Sequence, residues 1–507
     1  MAVNFFDFSN LGGDYRALLS AVNAKINTSC IGMNQTEKVL VARDIGKNVL
    51  YVSNDCLNAK KAYEIASAMD NEAVYLLENT TDPLVYKEAQ NNESNINKIK
   101  TLSALTSNKQ SFVCASVDAL FGFLPKVDRF KNSIIKLSYH DSVNREELLS
   151  KLIKIGYKRV ERVECPCEFS VRGEIIDIYP INLNCAVRLD FFDIQLQTIK
   201  TFNPEQIENL TDVDDVYICP CSDLLLLDDE IDAVISALQK LKGADFKSTD
   251  ARVRFETIAN EIVAKLKMGE RSFNLDYIFP LVTSNLSTIF EYLPEDTVVV
   301  IDEAKLVYDA LEKFDIDYKT RKKMLDATGE IIQTKENCVL KKEEVLEKLK
   351  NFTLLVHQKI TNANRFVEPQ KVINFNTSAL TRYTTNLNEF TNDVQNWIMD
   401  GYKIFIFAGD ERQARAIQRT LHSGQVHIEV KKMARLSDMA SAILPYQLPS
   451  GFAKVKEKRV IVGTFDIFAK KQDSKVLVNR QDVFSIPKVG DYVVHAIHGI
   501  GVCEGIT

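Results

Sequence analysis

The sequence predicts an α/β protein of several domains, and three observations carry that reading. Apolar strand-like runs alternate with helical segments over residues 1–125, the pattern of a parallel sheet. A second alternation of the same kind runs over 374–470, after a polar, Asn- and Thr-rich stretch at 361–388. A chain of 507 residues also exceeds one hydrophobic core and divides into about three to five domains.

Composition narrows the function. With 63 Lys and Arg against 69 Asp and Glu, the net charge is -6 and the pI about 5.7, which argues against wrapping nucleic acid as the main role. DNA binding is expected to be weak or absent. No apolar run approaches the roughly 20 residues of a membrane span, and residues 1–7 lack the charged and apolar regions of a secretory signal, so a cytoplasmic protein with no membrane contact is expected. Ten cysteines are too few for a disulfide scaffold. The pairs Cys165-Pro166-Cys167 and Cys219-Pro220-Cys221 have the wrong spacing for a zinc knuckle and read as small buried residues, so no metal or other cofactor is expected.

The first domain, 1–128, contains a strand at 47–53, a helix at 58–69 and a strand at 111–116. A nucleotide-binding version of such a sheet needs a G-x-x-x-x-G-K-[ST] loop before its first helix. The corresponding place reads Cys30-Ile31-Gly32-Met33-Asn34-Gln35-Thr36-Glu37-Lys38. Gly32 is the single glycine, Glu37 sets negative charge where a triphosphate would lie, and Lys38 reads as a solvated helix residue. This degenerate P-loop-type domain is not expected to bind ATP.

The second domain, 129–206, opens with a strand at 134–137 and an amphipathic helix at 145–155, with Leu148, Leu149, Leu152 and Ile155 at helical spacing and Gly156 as its stop. Then follows Glu168-Phe169-Ser170-Val171-Arg172-Gly173-Glu174-Ile175-Ile176-Asp177-Ile178-Tyr179-Pro180, and Ala186-Val187-Arg188-Leu189-Asp190-Phe191-Phe192-Asp193. Gly173 fits a bend or bulge beside Arg172. Period-two alternation puts Val187, Leu189 and Phe191 on one face and Arg188, Asp190 and Phe192 on the other. A second layer over Phe192 would explain that aromatic as core. Left uncovered, Phe and Arg together form a favoured interface anchor pair.

These words resemble the second domain shared by the bacterial transcription-repair coupling factors (Mfd) and the excinuclease subunit UvrB, whose phrases run G-E-F-x-V-R-G-x-I-I-D-I-F-P and V-R-x-E-F-F. Tyr157-Lys158-Arg159-Val160 is similar to the words preceding that signature. The resemblance implies a mixed α/β domain inserted into the first and docking onto UvrA, the damage-recognition ATPase of nucleotide excision repair. It carries the contact role to Arg172, Arg188 and Phe192. UvrB keeps a working phosphate loop and a Tyr-rich hairpin that grips damaged DNA. Here the loop is degenerate and the interval 79–110 holds Tyr86 as its one aromatic, so the coupling factors are the nearer resemblance and a UvrB-like nucleotide-dependent subunit the alternative.

Residues 207–360 are expected to complete the first sheet as its second half. They carry helices at 229–242 and 251–267, the β-branched run Val298-Val299-Val300-Ile301-Asp302-Glu303, and a strand at 353–356. A strand ending in Asp302-Glu303 has the form of a magnesium-binding Walker B segment. Without a phosphate loop these acids read as a relic or as helix-start residues.

The third domain, 374–470, is expected to be a separate α/β sandwich: a helix at 390–399 holding Trp397, a strand at 402–408, a basic helix at 411–421 and a strand at 460–464. Gly451-Phe452, Arg459-Val460-Ile461-Val462 and Asp466-Ile467-Phe468 are similar to the coupling factors' third domain. His422 and His427 read as ordinary histidines, and no catalytic set stands out. A basic linker, 471–488, leads to 489–507, where Gly490-Asp491-Tyr492-Val493-Val494-His495 and Gly499-Ile500-Gly501 resemble the start of the family's Tudor/SH3-like domain for the RNA polymerase beta subunit. His495 and His498, three apart on a strand, point to opposite faces. The resemblance implies a fragment that binds rather than catalyses, recruiting UvrA to stalled transcription. In the family, the ATP-dependent DNA translocase motor lies beyond this region.

Overall fold

The computed structural model describes residues 5–7, 11–69, 73–78, 84, 92–107, 109–243, 246, 248–269, 278, 281, 286–328, 338–360, 366, 368–384, 386–468, 492–495 and 499–502. Most of the interval 79–91, the linker 471–488, Glu504–Thr507 and His498 lie outside the described residues.

The first sheet has seven parallel strands, in the order Lys371–Asn374, Thr28–Ile31, Thr353–Gln358, Val298–Asp302, Val49–Ser53, Phe112–Ser116 and Val74–Leu77. The strands Val49–Ser53, Phe112–Ser116 and Val298–Asp302 are buried throughout, as near-continuous apolar runs must be when both faces of a parallel sheet are covered. Asn34 caps the helix Gln35–Asp44 by accepting from the Glu37 N–H at 2.8 Å, and Asp55 caps Cys56–Ala66 by accepting from Asn58. The weakly apolar Lys371–Asn374 joins this sheet beside Thr28–Ile31, so the sheet reaches further along the chain than the strand at 353–356.

Between the strands Phe112–Ser116 and Val298–Asp302 lies a second sheet of six strands, in the order Gln206–Asp212, Gln195–Asn203, Ala186–Phe192, Ile175–Ile178, Glu168–Arg172 and Lys158–Arg159. All neighbours are antiparallel except the last pair. Its inner face, with Phe169, Ile176, Ile178, Val187, Leu189 and Phe191, packs with Leu148 and Leu152 of the helix Arg145–Lys154. Gly156, at φ 97°, ends that helical segment in the left-handed region.

The expected exit from this unit at 206 is a hairpin turn instead. Asn203 pairs with Gln206, and the Asn203 side chain accepts from the Glu205 N–H at 3.0 Å. Pairing then continues to Asp215–Ile218, which lies antiparallel to Ile135–Ser138. The helices Asp228–Leu241 and Thr249–Lys267 follow and bury Ile231, Val234, Leu238, Phe255 and Ile262 against each other.

The third sheet is mixed, in the order Thr377–Ser378, Phe452–Lys454, Arg459–Val462, Lys403–Phe407, Ala442–Leu444 and Glu429–Val430. Ile404, Ile406 and Val460 pack under the helices Leu387–Met399 and Glu411–Ser423. Its other face is not that of a separate sandwich. Phe405, Phe407, Phe452 and Ile461 share one core with Phe5, Phe6, Tyr15 and Cys30 of the first unit. The ring of Phe5 stands edge-on to Phe405 at 5.7 Å and to Phe407 at 5.5 Å, contacts between residues 400 apart that no local pattern announces. Tyr492–His495 and Gly499–Val502 form an antiparallel pair.

Candidate functional site

The outer face of the second sheet is built by strand alternation. Val187, Leu189 and Phe191 are buried, Arg188 and Asp190 are half-buried, and Phe192 is 70% exposed. No second layer covers its ring among the described residues. At the other end of this face, Val163 packs on Ala186 and Phe202, so the surface is closed there and open toward Phe192.

Asp177 organises the open part. It stands directly opposite Arg188 across the strand pair and is only 2% exposed. Arg188 donates to it through a fork, Nε to Oδ1 at 2.7 Å and Nη2 to Oδ2 at 2.9 Å. Arg172 Nη2 donates to the same Oδ2 at 2.7 Å. One carboxylate therefore fixes two guanidinium groups, with the Asp190 carboxylate on the same face also acting on Arg188. Hydrogen bonding to Asp177 raises the Arg188 pKa against the opposing cost of burial, and its guanidinium also lies 5.2 Å from the Phe202 ring centre. The two arginines differ in availability: the Arg172 side chain is 54% exposed and that of Arg188 20%.

Two tight turns bring these groups together. Gly173, at φ 61°, makes the turn between Arg172 and Ile175, with nothing within 4 Å of where a Cβ would stand. The left-handed conformation, not crowding, favours glycine there, and the feature is a turn instead of a bulge. The bulge lies in the neighbouring pairing, between Asp190 and Phe191. Arg145 Nη2 donates to the Gly173 carbonyl at 2.7 Å, and the Phe191 N–H to the Glu174 carbonyl at 3.1 Å. At the other tip, Asp193 at φ 56° turns the chain between Phe192 and Gln195 and leaves Ile194 half exposed.

Sequence reasoning missed Asp177. The available signal was an acid inside the otherwise β-branched run Ile175–Ile178, where an unpaired carboxylate would be costly.

Gly32, Lys38, Asp302 and Glu303 converge at a second place, but not as solvated residues. Lys38 is 2% exposed, and its Nζ lies 3.0 Å from Asp302 Oδ1 and is also bonded to Glu303. Gln35 Nε2 donates to the other Asp302 oxygen at 2.8 Å. The ammonium that a phosphate loop would offer its ligand is thus taken up by the chain's own acids. Those acids are 264 and 265 residues away in sequence, which is why local pattern gives Lys38 to solvent.

The helix start is occupied as well. Asn34 Nδ2 donates to the Gly451 carbonyl at 2.9 Å, and the Thr36 hydroxyl to the Ser450 carbonyl at 2.8 Å. Asp466 holds that loop by accepting from the Gly451 and Gly463 N–H groups at 2.7 and 2.8 Å. A Cβ on Gly451 would meet the Ile461 oxygen at 1.9 Å, and one on Gly32 the Phe375 oxygen at 2.4 Å. Glu37 is fully buried and does not present its charge to the helix start. It pairs with Lys454 of the third sheet at 3.1 Å and accepts from Tyr15 and Thr377. His357 lies beside this cluster, its pKa lowered to about 3 by burial and by Lys38.

The cysteine pairs also approach one another: burial, and after it the neighbouring Cys167, push the Cys221 thiol pKa up, and Cys219 Sγ lies 3.0 Å from Ser103 Oγ. Among the described residues no three His, Cys, Asp or Glu side chains are grouped to hold a metal ion, and no helix is long and apolar enough to cross a membrane.

Residues 135–224 match the UvrB interaction domain family, a range covering the second sheet with both arginines, Asp177 and Phe192. Along 99% of its length the chain is 21% identical to the transcription-repair-coupling factor of Bacillus subtilis, covering 44% of that protein. The corresponding protein of Staphylococcus haemolyticus is 24% identical over 91% of the chain and 40% of its own length. That of Staphylococcus aureus strain USA300 is 22% identical over 96% and 43%. Its relatives are transcription-repair-coupling factors. The chain spans less than half the length of these curated relatives, and the UvrB interaction domain lies inside the shared region.

Proposed function

We propose that this chain recruits UvrA in transcription-coupled repair, with the outer face of the second sheet as the docking surface. The observation that carries the reading is an exposed phenylalanine, Phe192, on the same sheet face as two arginines fixed on the buried Asp177. Phe192 is the apolar anchor. Arg172 offers its remaining N–H groups to acceptors on the partner, and Arg188 holds the local charge and shape.

The chain is read as acting by binding. The self-paired Lys38, Asp302 and Glu303 support a first unit that does not use nucleotide, and nothing favours the UvrB-like alternative of a nucleotide-dependent damage-binding subunit. The terminal strand pair Tyr492–His495 and Gly499–Val502 is assigned to a Tudor-like domain that meets the RNA polymerase beta subunit in a full-length protein.

Titration of UvrA onto the chain tests the docking face. The triple variant Arg172→Ala, Arg188→Ala, Phe192→Ala is expected to bind at least about 30-fold more weakly, the equivalent of about 2 kcal/mol. Equal affinity in a variant with an unchanged melting curve would overturn the proposal.

A further inference from the structure

The third sheet carries a surface feature unrelated to the docking face. A cleft of about 830 Å³ opens between the last turns of the helix Glu411–Ser423, the end of the helix Leu387–Met399 and the strand Glu429–Val430. That volume is in the range of small-ligand sites. Lys403, Arg419 and Lys431 line it, together with His422 and His427, whose rings meet edge-to-face at 4.5 Å. Glu429 is the one carboxylate among its lining residues. Among the described residues none of the three permanent cations has a carboxylate partner, whereas Arg415 and Arg435 of the same unit pair with Glu411 and Asp7.

Part of this charge has a structural explanation. Arg419 and His422 sit in the last turn and a half of a helix, where cations offset the unpaired carbonyl groups. Lys403 begins a strand and Lys431 follows one, so helix ends do not account for them. The wall is completed by the half-buried ring of Tyr402 and by Ile398 and Val426. Cations beside an aromatic ring and apolar side chains suit a ligand with both a phosphate and a planar base.

We propose that this cleft binds a nucleotide phosphate, with Lys403, Arg419 and Lys431 on the phosphate oxygens and Tyr402 stacking on the base. A free nucleotide and a single strand of nucleic acid offer the same chemistry, and two probes distinguish them.

Fluorescein-labelled oligothymidylate and ADP are titrated onto the whole chain and onto the variant Lys403→Glu, Arg419→Glu, Lys431→Glu. Binding of either probe is expected to weaken at least tenfold in the variant. For the oligonucleotide, the slope of log affinity against log salt should also fall by about 2, from three contacts at about 0.7 each. ADP binding assigns the site to free nucleotide, and binding of oligothymidylate alone assigns it to a strand. Tyr402→Leu keeps every charge and is expected to weaken binding several-fold with the salt slope unchanged, which separates stacking from any effect of charge reversal on folding. Failure of both probes to bind, or equal affinity in the charge-reversed variant, overturns the proposal. Tighter binding of a polyglutamate peptide than of either probe overturns it as well.

Discussion

Arg188 and Asp177 face each other across neighbouring strands and are joined by two hydrogen bonds, at 2.7 and 2.9 Å, on a sheet face that is open to solvent toward Phe192. The Asp177 side chain is almost wholly buried while that of Arg188 keeps a fifth of its surface. The pair thus serves as a fixed base for the more exposed Arg172, which shares the same oxygen.

Asp177→Asn keeps the shape but removes the charge on which both arginines rest. Chemical denaturation is expected to show a loss of about 2 kcal/mol, because hydrogen bonds to a charged group are replaced by neutral ones and Arg188 keeps a partly buried, uncompensated charge. UvrA binding by the folded variant should fall about tenfold, through misplacement of Arg172. Restored binding in the double variant Asp177→Asn, Arg172→Ala would contradict the positioning role.

Phe191 and Phe192 are neighbours with opposite tasks. Phe191→Ala opens a cavity in the core and should cost about 3–5 kcal/mol of stability. Phe192→Ala should change stability by no more than about 0.5 kcal/mol while weakening UvrA binding by about 2 kcal/mol. Parallel melting curves and titrations check the pair, and a large stability loss in Phe192→Ala would mean that the ring is core.

Lys38→Ala strands Asp302 in the interior and is expected to destabilise the chain by about 3–5 kcal/mol in urea denaturation. The double variant Lys38→Met, Asp302→Asn replaces the buried ions with neutral groups and should recover much of that loss. The loop before the helix Gln35–Asp44 should contribute no saturable heat with ATP and magnesium in calorimetry, so any nucleotide binding in the third-sheet cleft should be the same in wild-type protein and in Lys38→Met. Micromolar binding abolished by Lys38→Met would reverse that expectation.

His357 supplies a pH dependence with a definite sign. Its folded pKa, about 3, lies below the ordinary value of 6.5, so the unfolded chain takes up a proton that the folded chain refuses. Its contribution to stability is whole above about pH 6.5 and is lost as pH falls from there toward 3. Denaturation midpoints at pH 5, 6 and 7 should decline on acidification, and His357→Phe should flatten that part of the profile.

Glu37 and Lys454 test the joint between the first and third sheets. Each is essentially excluded from solvent, so Lys454→Met or Glu37→Gln alone leaves its partner with an uncompensated buried charge, held only by neutral groups such as Thr377. A double-mutant cycle on stability should give a coupling of about 1–3 kcal/mol. Coupling near zero would mean that the aromatic core alone holds the sheets together.

The parts of the fold that were legible in the sequence are those set by local periodicity. Buried parallel strands appear as apolar runs, and alternation at 187–192 gives the outward Phe192 without any knowledge of its neighbours. The arrangement around Lys38 was not legible, because its partners come from residues 264 and 265 positions onward and the partner of Glu37 from 417. A buried lysine and a solvated one have the same local sequence when the compensating acids are remote. Asn203-Pro204-Glu205 has the composition of an exit from a domain and equally that of a two-residue hairpin, and pairing with Gln206 selects the hairpin.

The packing of Phe5 and Phe6 against strands near the other end of the chain also bears on the timing of synthesis. The Phe5 carbonyl accepts from the Leu436 N–H, and its ring lies in a core that includes Ile461. A ribosome adding about 5–20 residues per second needs on the order of 20–90 s to reach that strand after making the first aromatics. Throughout that interval Phe5 lacks the late-made part of its core, Phe405, Phe407 and Ile461, and the nascent chain is expected to be a client for chaperones that shield apolar segments.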